Sequence, residues 1–318
     1  MRRALEETFF PVADYDLDAT LNSGQVFRWT PDGAGWVGVV ARRWVRLEAC
    51  AGGIIAQAVR TGNGWGWLAR YLQVEVSLRS VLATFPADGP MQAAVNACRG
   101  LRLLRQDPWE CLASFILSSN NHVRRIREMI ATLCERYGEP VEVPPGYPPA
   151  FAFPEPERIA AATERELRRC KLGFRAPYLL GAARAVARRE PDLTSLGSRS
   201  YETARRALLE LPGVGPKVAD CVLLFAYGFQ TAFPVDVWIL RALRMFYFRG
   251  RKPTRRQIDE FVRAHFGPYA GYAQQYLYHY MRTRAGTRES SCADHPSADR
   301  ARADVPTRSN HLKASHSA

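Results

Sequence analysis

An α+β fold is predicted: an N-terminal antiparallel β-sheet domain followed by a mostly α-helical core. Three observations carry this. Between about residues 8 and 80, β-branched and aromatic runs alternate with glycine turns. From about residue 90 onward, apolar residues recur at helical spacing. Within that helical part, Leu211-Pro212-Gly213-Val214-Gly215-Pro216-Lys217 reads as a tight turn between two helices.

In the first part, Trp36–Val40 and Trp44–Leu47 read as strands joined by a short turn at Arg42-Arg43, and Ile54–Val59 adds a strand after Gly52-Gly53. Ser23–Trp29 lies among them, and by spacing alone its Gly24 is an ordinary turn glycine. Trp109, Leu112, Ala113, Ile116 and Leu117 mark a helix that ends near Ser118-Ser119-Asn120-Asn121. A basic helix follows with Arg124, Arg125, Ile126, Met129, Ile130 and Leu133. Pro144–Pro156 is a loop. Arg158–Cys170 is helical, the chain breaks at Gly173, and Arg175–Arg188 is helical again. The central hairpin spans about 201–227. Asp236 stands where it can cap a helix over Val237–Phe248, and the last helix includes Tyr269–Met281. Beyond Arg282 large apolar groups are few, and disorder is expected. The expected organisation is therefore 8–100, 101–282 and a tail over 283–318.

The chain has 318 residues and a formal net charge of +13, which favours a polyanionic partner, nucleic acid first and an anionic membrane surface second. No apolar run approaches membrane-spanning length, so no membrane partner is expected. The seven cysteines are dispersed without a CxxC pair, which argues against a zinc or iron–sulfur site and fits free thiols in a reducing compartment. No metal and no cofactor are expected. Histidines 295, 311 and 316 fall in the tail and read as solvated. Met1–Asp16 lacks the apolar core of a signal peptide, so a bacterial cytoplasmic location is expected, or a nuclear one in a eukaryote. Only four of the 44 basic residues are lysine: Lys171, Lys217, Lys252 and Lys313. Arginine stays protonated and is a very poor nucleophile, so a lysine inside the central turn stands out.

The chemistry of that turn follows from its residue types. Gly213 and Gly215 allow φ > 0 or a close backbone approach. Pro216 suits the first position of the second helix, whose free N–H groups can grip a DNA phosphate without sequence preference. An ordinary helix–turn–helix corner would use the same residues. An uncharged Lys217 amine is a nucleophile toward a sugar C1′ and can form a Schiff base. A carboxylate such as Asp236 can stabilise positive charge developing on the sugar, or it can simply cap its helix.

LPGVGPKVAD (211–220) followed by FPVDVW (233–238) resembles the helix-hairpin-helix, Gly-Pro-Asp superfamily of DNA glycosylases, and the separation of Lys217 from Asp236 matches that family's lysine and aspartate. SGQVFRW (23–29), LRQDPWECLASFILSSNN (104–121), LGFRAPY (172–178) and GPYAGYAQQYLY (267–278) are similar to signatures of its 8-oxoguanine DNA glycosylase/lyase branch. The resemblance runs from about residue 8 to 282. It implies a sheet domain packed on two helical lobes, with the target base flipped from the stack into a pocket between them. It implies Lys217 as Schiff-base nucleophile and Asp236 as catalytic aspartate. Gly24 becomes the residue whose carbonyl accepts N7–H of 8-oxoguanine, Gln274 the reader of the Watson–Crick edge, and Cys221 and Tyr278 the two faces of a base sandwich.

On the opposite strand the resemblance implies Asn120 filling the gap, Arg125 and Arg175 reading the estranged cytosine, and Phe174 as the wedge. Taken alone, the Asn pair could cap a helix and the arginines could be solvated. Three positions depart from the family pattern: Tyr278 where phenylalanine is typical, Phe174 where tyrosine is usual, and Trp238 where better-known eukaryotic members carry histidine. The expected partner is double-stranded DNA containing oxidised guanine, bound by a monomer. Alternatives are a same-fold glycosylase with another lesion preference and a non-catalytic helix-hairpin-helix DNA-binding protein.

Overall fold

The computed structural model describes residues 5–59, 62 and 64–293, with 285–293 described by backbone alone. The three tail histidines lie outside the described residues. Five antiparallel strands form the N-terminal sheet: β1 Leu5–Pro11, β2 Trp29–Asp32, β3 Gly35–Val40, β4 Arg43–Cys50 and β5 Gly53–Val59, in the order β1-β5-β4-β3-β2. Alternation decides which face is buried. In β4, Arg46 and Glu48 lie partly exposed on one face, where Trp44 is buried against Tyr147, while Val45 and Leu47 go inward on the other. Leu17, Leu21, Leu68 and Leu72 cover that face.

Two strands of this sheet went unread in the sequence, as did the short antiparallel pair Pro140–Val141 and Ala150–Phe151, the second lying within the expected 144–156 loop. β2 carries Pro31, which an edge strand tolerates because its N–H side need not pair. β1 mixes exposed Glu6 and Glu7 with a single buried residue, Phe10, so it lacks an apolar run. The β3–β4 turn sits one residue earlier than the pattern suggested. Ala41 and Arg42 both have positive φ, and Arg43 pairs with Val40 inside the ladder. Such a turn normally announces itself with Asn-Gly, and here it does not.

Fourteen α-helices occur among the described residues, and nine of them matter here: α1 Leu17–Asn22, α2 Pro108–Leu117, α3 Val123–Tyr137, α4 Ala176–Ala187, α5 Tyr201–Leu209, α6 Pro216–Val222, α7 Val237–Phe246, α8 Arg255–His265 and α9 Ala270–Ala293. The helix expected over Arg158–Cys170 is two short ones, Pro156–Ala160 and Glu164–Arg169, the second started by a capping box at Thr163. α2 is buried on nearly every side, and its apolar residues form the centre of the helical core. Asp107 caps it by accepting from the Glu110 N–H. α6 packs on α2 and continues as a π-turn over Leu223–Tyr227, stopped by left-handed Gly228. α9 runs past Met281, where the periodicity ended it, through to Ala293. The tail from residue 294 lies outside the described residues. Among the described residues no helix is long and apolar enough to cross a membrane.

Candidate active site

The α5–α6 hairpin places the lysine. Gly213 has φ +78°, and a Cβ there would stand 2.6 Å from Tyr178 Cβ, so the turn packs tightly on α4. Gly215 has extended backbone and open space around it, leaving the start of α6 accessible. Pro216 occupies the first turn of α6 and Lys217 follows. The Lys217 Nζ donates to Ser118 Oγ at 3.1 Å and lies 4.8 Å from the Phe115 ring centroid. α2 therefore holds the amine from one side.

Asp236 does cap α7, accepting from the Ile239 N–H at 2.8 Å. It also faces the same cavity as Lys217, without an ion pair between the two. Gly24, Cys221, Gln274 and Tyr278 line this cavity too, with Phe115, Phe225, Pro234 and Gln275. Six residues from four distant parts of the sequence thus share one wall. Its volume is about 30 Å³, roughly the share of one liquid water, so a purine enters only by displacing side chains.

Gly24 has φ +80° and is held from both sides. Gln275 Nε2 donates to the Ser23 carbonyl at 3.0 Å. Gln25 is fully buried. Its Nε2 donates to the Thr20 and Arg102 carbonyls, and its Oε1 accepts from the Leu104 N–H. Its carbonyl accepts from Gln106 Nε2 at 2.7 Å. Gln274 is 4% exposed, and its Oε1 has no hydrogen-bond partner among the described residues. A buried acceptor left open in this way is ready for a ligand's N–H.

Burial pushes the Asp236 carboxyl above its ordinary value, opposed by the Ile239 N–H and by Lys217. The native state therefore holds the Asp236 proton more tightly than the unfolded chain does, and this group's contribution to stability falls as pH rises through that window. A carboxylate that stabilises developing positive charge acts in its ionised form. The acid limb of kcat/KM for base excision is expected to have its midpoint above the normal aspartate range. Asp236→Asn keeps the cap, removes that limb, lowers the rate by about 10²–10⁴-fold and melts no lower than wild type at neutral pH. A pH–rate profile and a thermal melt check both outcomes.

Burial also drives the Cys221 thiol up to about 12, against the opposing effect of Lys217. It is a neutral packing surface and not a nucleophile. Iodoacetamide at neutral pH is expected to modify exposed Cys50 and spare Cys221, read by peptide mass spectrometry. Tyr278 is likewise pushed up to about 12 by burial, so it presents a neutral ring and hydroxyl.

A second constellation lies beside the hairpin. A groove of about 330 Å³ is lined by Ile116, Ser119, Phe174, Arg175, Tyr178 and Gly213–Gly215. Phe174 is 52% exposed, and the Arg175 guanidinium stacks 4.2 Å from its ring centroid. Arg175 itself is 5% exposed and donates to the Ser119 and Asn120 carbonyls. Asn120 is exposed with φ +48°, the loop's projecting residue. Arg125 is exposed on the first turns of α3, near enough to depress the pKa of Arg175, second to burial. Half-buried Trp238 gives its backbone N–H to Asp236.

Sequence reasoning missed Ser118 and Phe115 as the lysine's partners, Gln25 and Gln275 as the clamp on Gly24, and Asp220. All lie inside quoted motifs, but a buried amide or hydroxyl has no periodic signal. Among the described residues no cluster of three His, Cys, Asp or Glu is arranged to hold a metal.

A hairpin-borne lysine and a helix-capping aspartate share one cavity beside a sheet domain. Comparison with known proteins shows that a chain of this architecture is a helix-hairpin-helix base-excision DNA glycosylase. Residues 8–112 match the family described as 8-oxoguanine DNA glycosylase, N-terminal domain, and residues 113–267 match the HhH-GPD superfamily base excision DNA repair protein. A probable N-glycosylase/DNA lyase of Methanothermobacter thermautotrophicus is 32% identical over 308 residues, covering 86% of this chain and 95% of the relative. The N-glycosylase/DNA lyase OGG1 of Arabidopsis thaliana is 31% identical over 82% of this chain and 76% of its own length. The 8-oxoguanine glycosylase/lyase of Clostridium acetobutylicum, solved with double-stranded DNA containing cytosine opposite 8-oxoG, superposes with a TM-score of 0.81 at 28% identity over 90% of this chain and all of that one. The chain belongs to the 8-oxoguanine DNA glycosylase/lyase family, and is a DNA N-glycosylase with lyase activity.

Proposed function

We propose that the chain excises 8-oxoguanine paired with cytosine, and that Lys217 performs the chemistry. The observation that carries this reading is the shared cavity of Lys217, Asp236, Gly24, Cys221, Gln274 and Tyr278. The flipped base stacks between Cys221 and Tyr278, with Gln274 on its Watson–Crick edge and the Gly24 carbonyl at N7–H. The Lys217 amine attacks C1′ as the C1′–N9 bond breaks, and its electron pair leaves with the base, which takes a proton. Asp236 stabilises the positive charge on the sugar. Loss of the amine's proton and ring opening give an imine to C1′. Removal of a C2′ proton then expels the 3′ phosphate.

Phe174, Arg175, Arg125 and Asn120 serve the opposite strand, and the Gly213–Gly215 hairpin grips the backbone.

Borohydride trapping on duplexes that differ only in lesion and opposite base tests the reading. The 8-oxoguanine·cytosine duplex is expected to trap best, ahead of 8-oxoguanine opposite adenine, and uracil not at all. Equal trapping with every opposite base overturns the cytosine preference. Cleavage without any trapped adduct overturns the Schiff-base step, and binding without cleavage leaves only a DNA clamp.

A further inference from the structure

At the Gly24 end of the cavity stands a residue that none of the recognition roles above uses. A Cβ built on Gly24 would lie 2.9 Å from Arg282 Nη1 and 3.2 Å from the Tyr278 hydroxyl. The Arg282 guanidinium also lies 5.4 Å from the Tyr278 ring centroid. Its Nη1 is buried and has no hydrogen-bond partner among the described residues. A buried N–H without an acceptor is uncommon and costly, and this one stands against Gly24 and Tyr278, which line the same cavity as Gln274 with its open acceptor.

The two forms of guanine differ along one edge. Guanine presents an N7 acceptor and a C8–H. The oxidised base presents an N7–H donor and a C8=O8 acceptor, side by side. A carbonyl and an N–H set next to each other complement the oxidised edge at both atoms and the normal edge at neither. Gly24 carries the carbonyl, and the Arg282 Nη1 lies beside that residue, 2.9 Å from where its Cβ would stand. We propose that Arg282 is a specificity-determining residue that donates to O8 of the flipped base while the Gly24 carbonyl accepts N7–H. The inference rests on the excision of 8-oxoguanine proposed above. The long arginine side chain can yield as the base enters the small cavity and then close on its edge.

Arg282→Met, Arg282→Gln and Arg282→Lys, compared with wild type under single-turnover conditions, test this. The Met and Gln variants are expected to excise 8-oxoguanine roughly 10- to 100-fold more slowly, the scale of a charge-assisted hydrogen bond. The Lys variant should recover part of the loss. Cleavage of a preformed abasic site, which has no base to read, should stay within about twofold of wild type. Wild type should prefer 8-oxoguanine over 8-thioguanine, whose sulfur accepts weakly, and Arg282→Met should lose that preference.

Equal losses on the lesion and the abasic site would overturn the proposal, since they mark a phosphate contact or a damaged fold. So would unchanged excision by the Met variant. If wild type itself fails on 8-oxoguanine, the underlying reading falls with it. If wild type succeeds and the variants match it, the inference about Arg282 alone falls.

Discussion

Lys217→Gln is expected to abolish borohydride trapping and to slow base excision by roughly 10⁴-fold or more, the scale observed when a covalent nucleophile is removed. The substitution keeps a polar side chain of similar reach between Ser118 and the Phe115 ring, so the cavity itself should persist. Affinity for the 8-oxoguanine duplex should therefore change little, because the hairpin, Gln274 and the Gly24 clamp remain. Ser118→Ala gives the contrasting outcome. It removes the acceptor of one hydrogen bond from the amine, on the order of 1 kcal/mol, and should cost only several-fold in rate while trapping persists. Single-turnover gels with and without borohydride separate the two variants. A Lys217→Gln protein that still forms an adduct would falsify the assignment of the nucleophile.

Asp220→Ala should damage stability rather than chemistry. Asp220 is fully buried on α6, three residues beyond the lysine, and accepts from Tyr201 Oη at 2.8 Å, Arg205 Nε at 2.6 Å and Arg255 Nη2 at 3.3 Å. These contacts tie α5, α6 and α8 together. Removing the carboxylate leaves the Tyr201 hydroxyl and the Arg205 guanidinium without their acceptor, while Arg255 keeps its ion pair with Asp259. Breaking a buried pair costs about 3–5 kcal/mol, and the lower end applies because both arginines keep some contact with water. A loss of about 3 kcal/mol lowers Tm by roughly 5 °C in a folded unit of this size. Asp220→Asn retains an acceptor without the charge and should fall between. Calorimetry decides the point, and an Ala variant that melts with wild type would show that the triad contributes nothing net. Well below its Tm, the Ala variant should still trap on 8-oxoguanine.

Much of this architecture could be read from the residues because its signals are local. The helical spacing around Leu112, Ile116 and Leu117 located α2, and the doubled glycine with Pro216 located the hairpin. The Asp236 cap was visible as an aspartate before an apolar helical run. The candidate cavity was accessible only through the order of several motifs, since nothing in the spacing of Gly24 says that it lies opposite Tyr278. The residues that escaped were those whose work is done across the fold. Gln25 and Gln275 are polar, buried and aperiodic, and Ser118 is one of two adjacent serines. β1 and β2 escaped for a related reason: they are the two edge strands of the sheet, where exposed side chains and proline blur the alternation that marks the central ones.

The bond from Gln275 to the Ser23 carbonyl has a consequence for how the protein is made. It joins residues 252 positions apart. On a growing chain, the sheet, α2 and the lysine-bearing hairpin all leave the ribosome before α9 does. α9 also supplies Tyr272, Tyr276 and Leu277 to the core that holds α2 and α6, so neither the lysine's surroundings nor the anchor on Ser23 is complete until this helix has been made. A ribosome-arrested chain that stops short of α9 is therefore expected to form no trapped adduct, and trapping should appear only once α9 has been released.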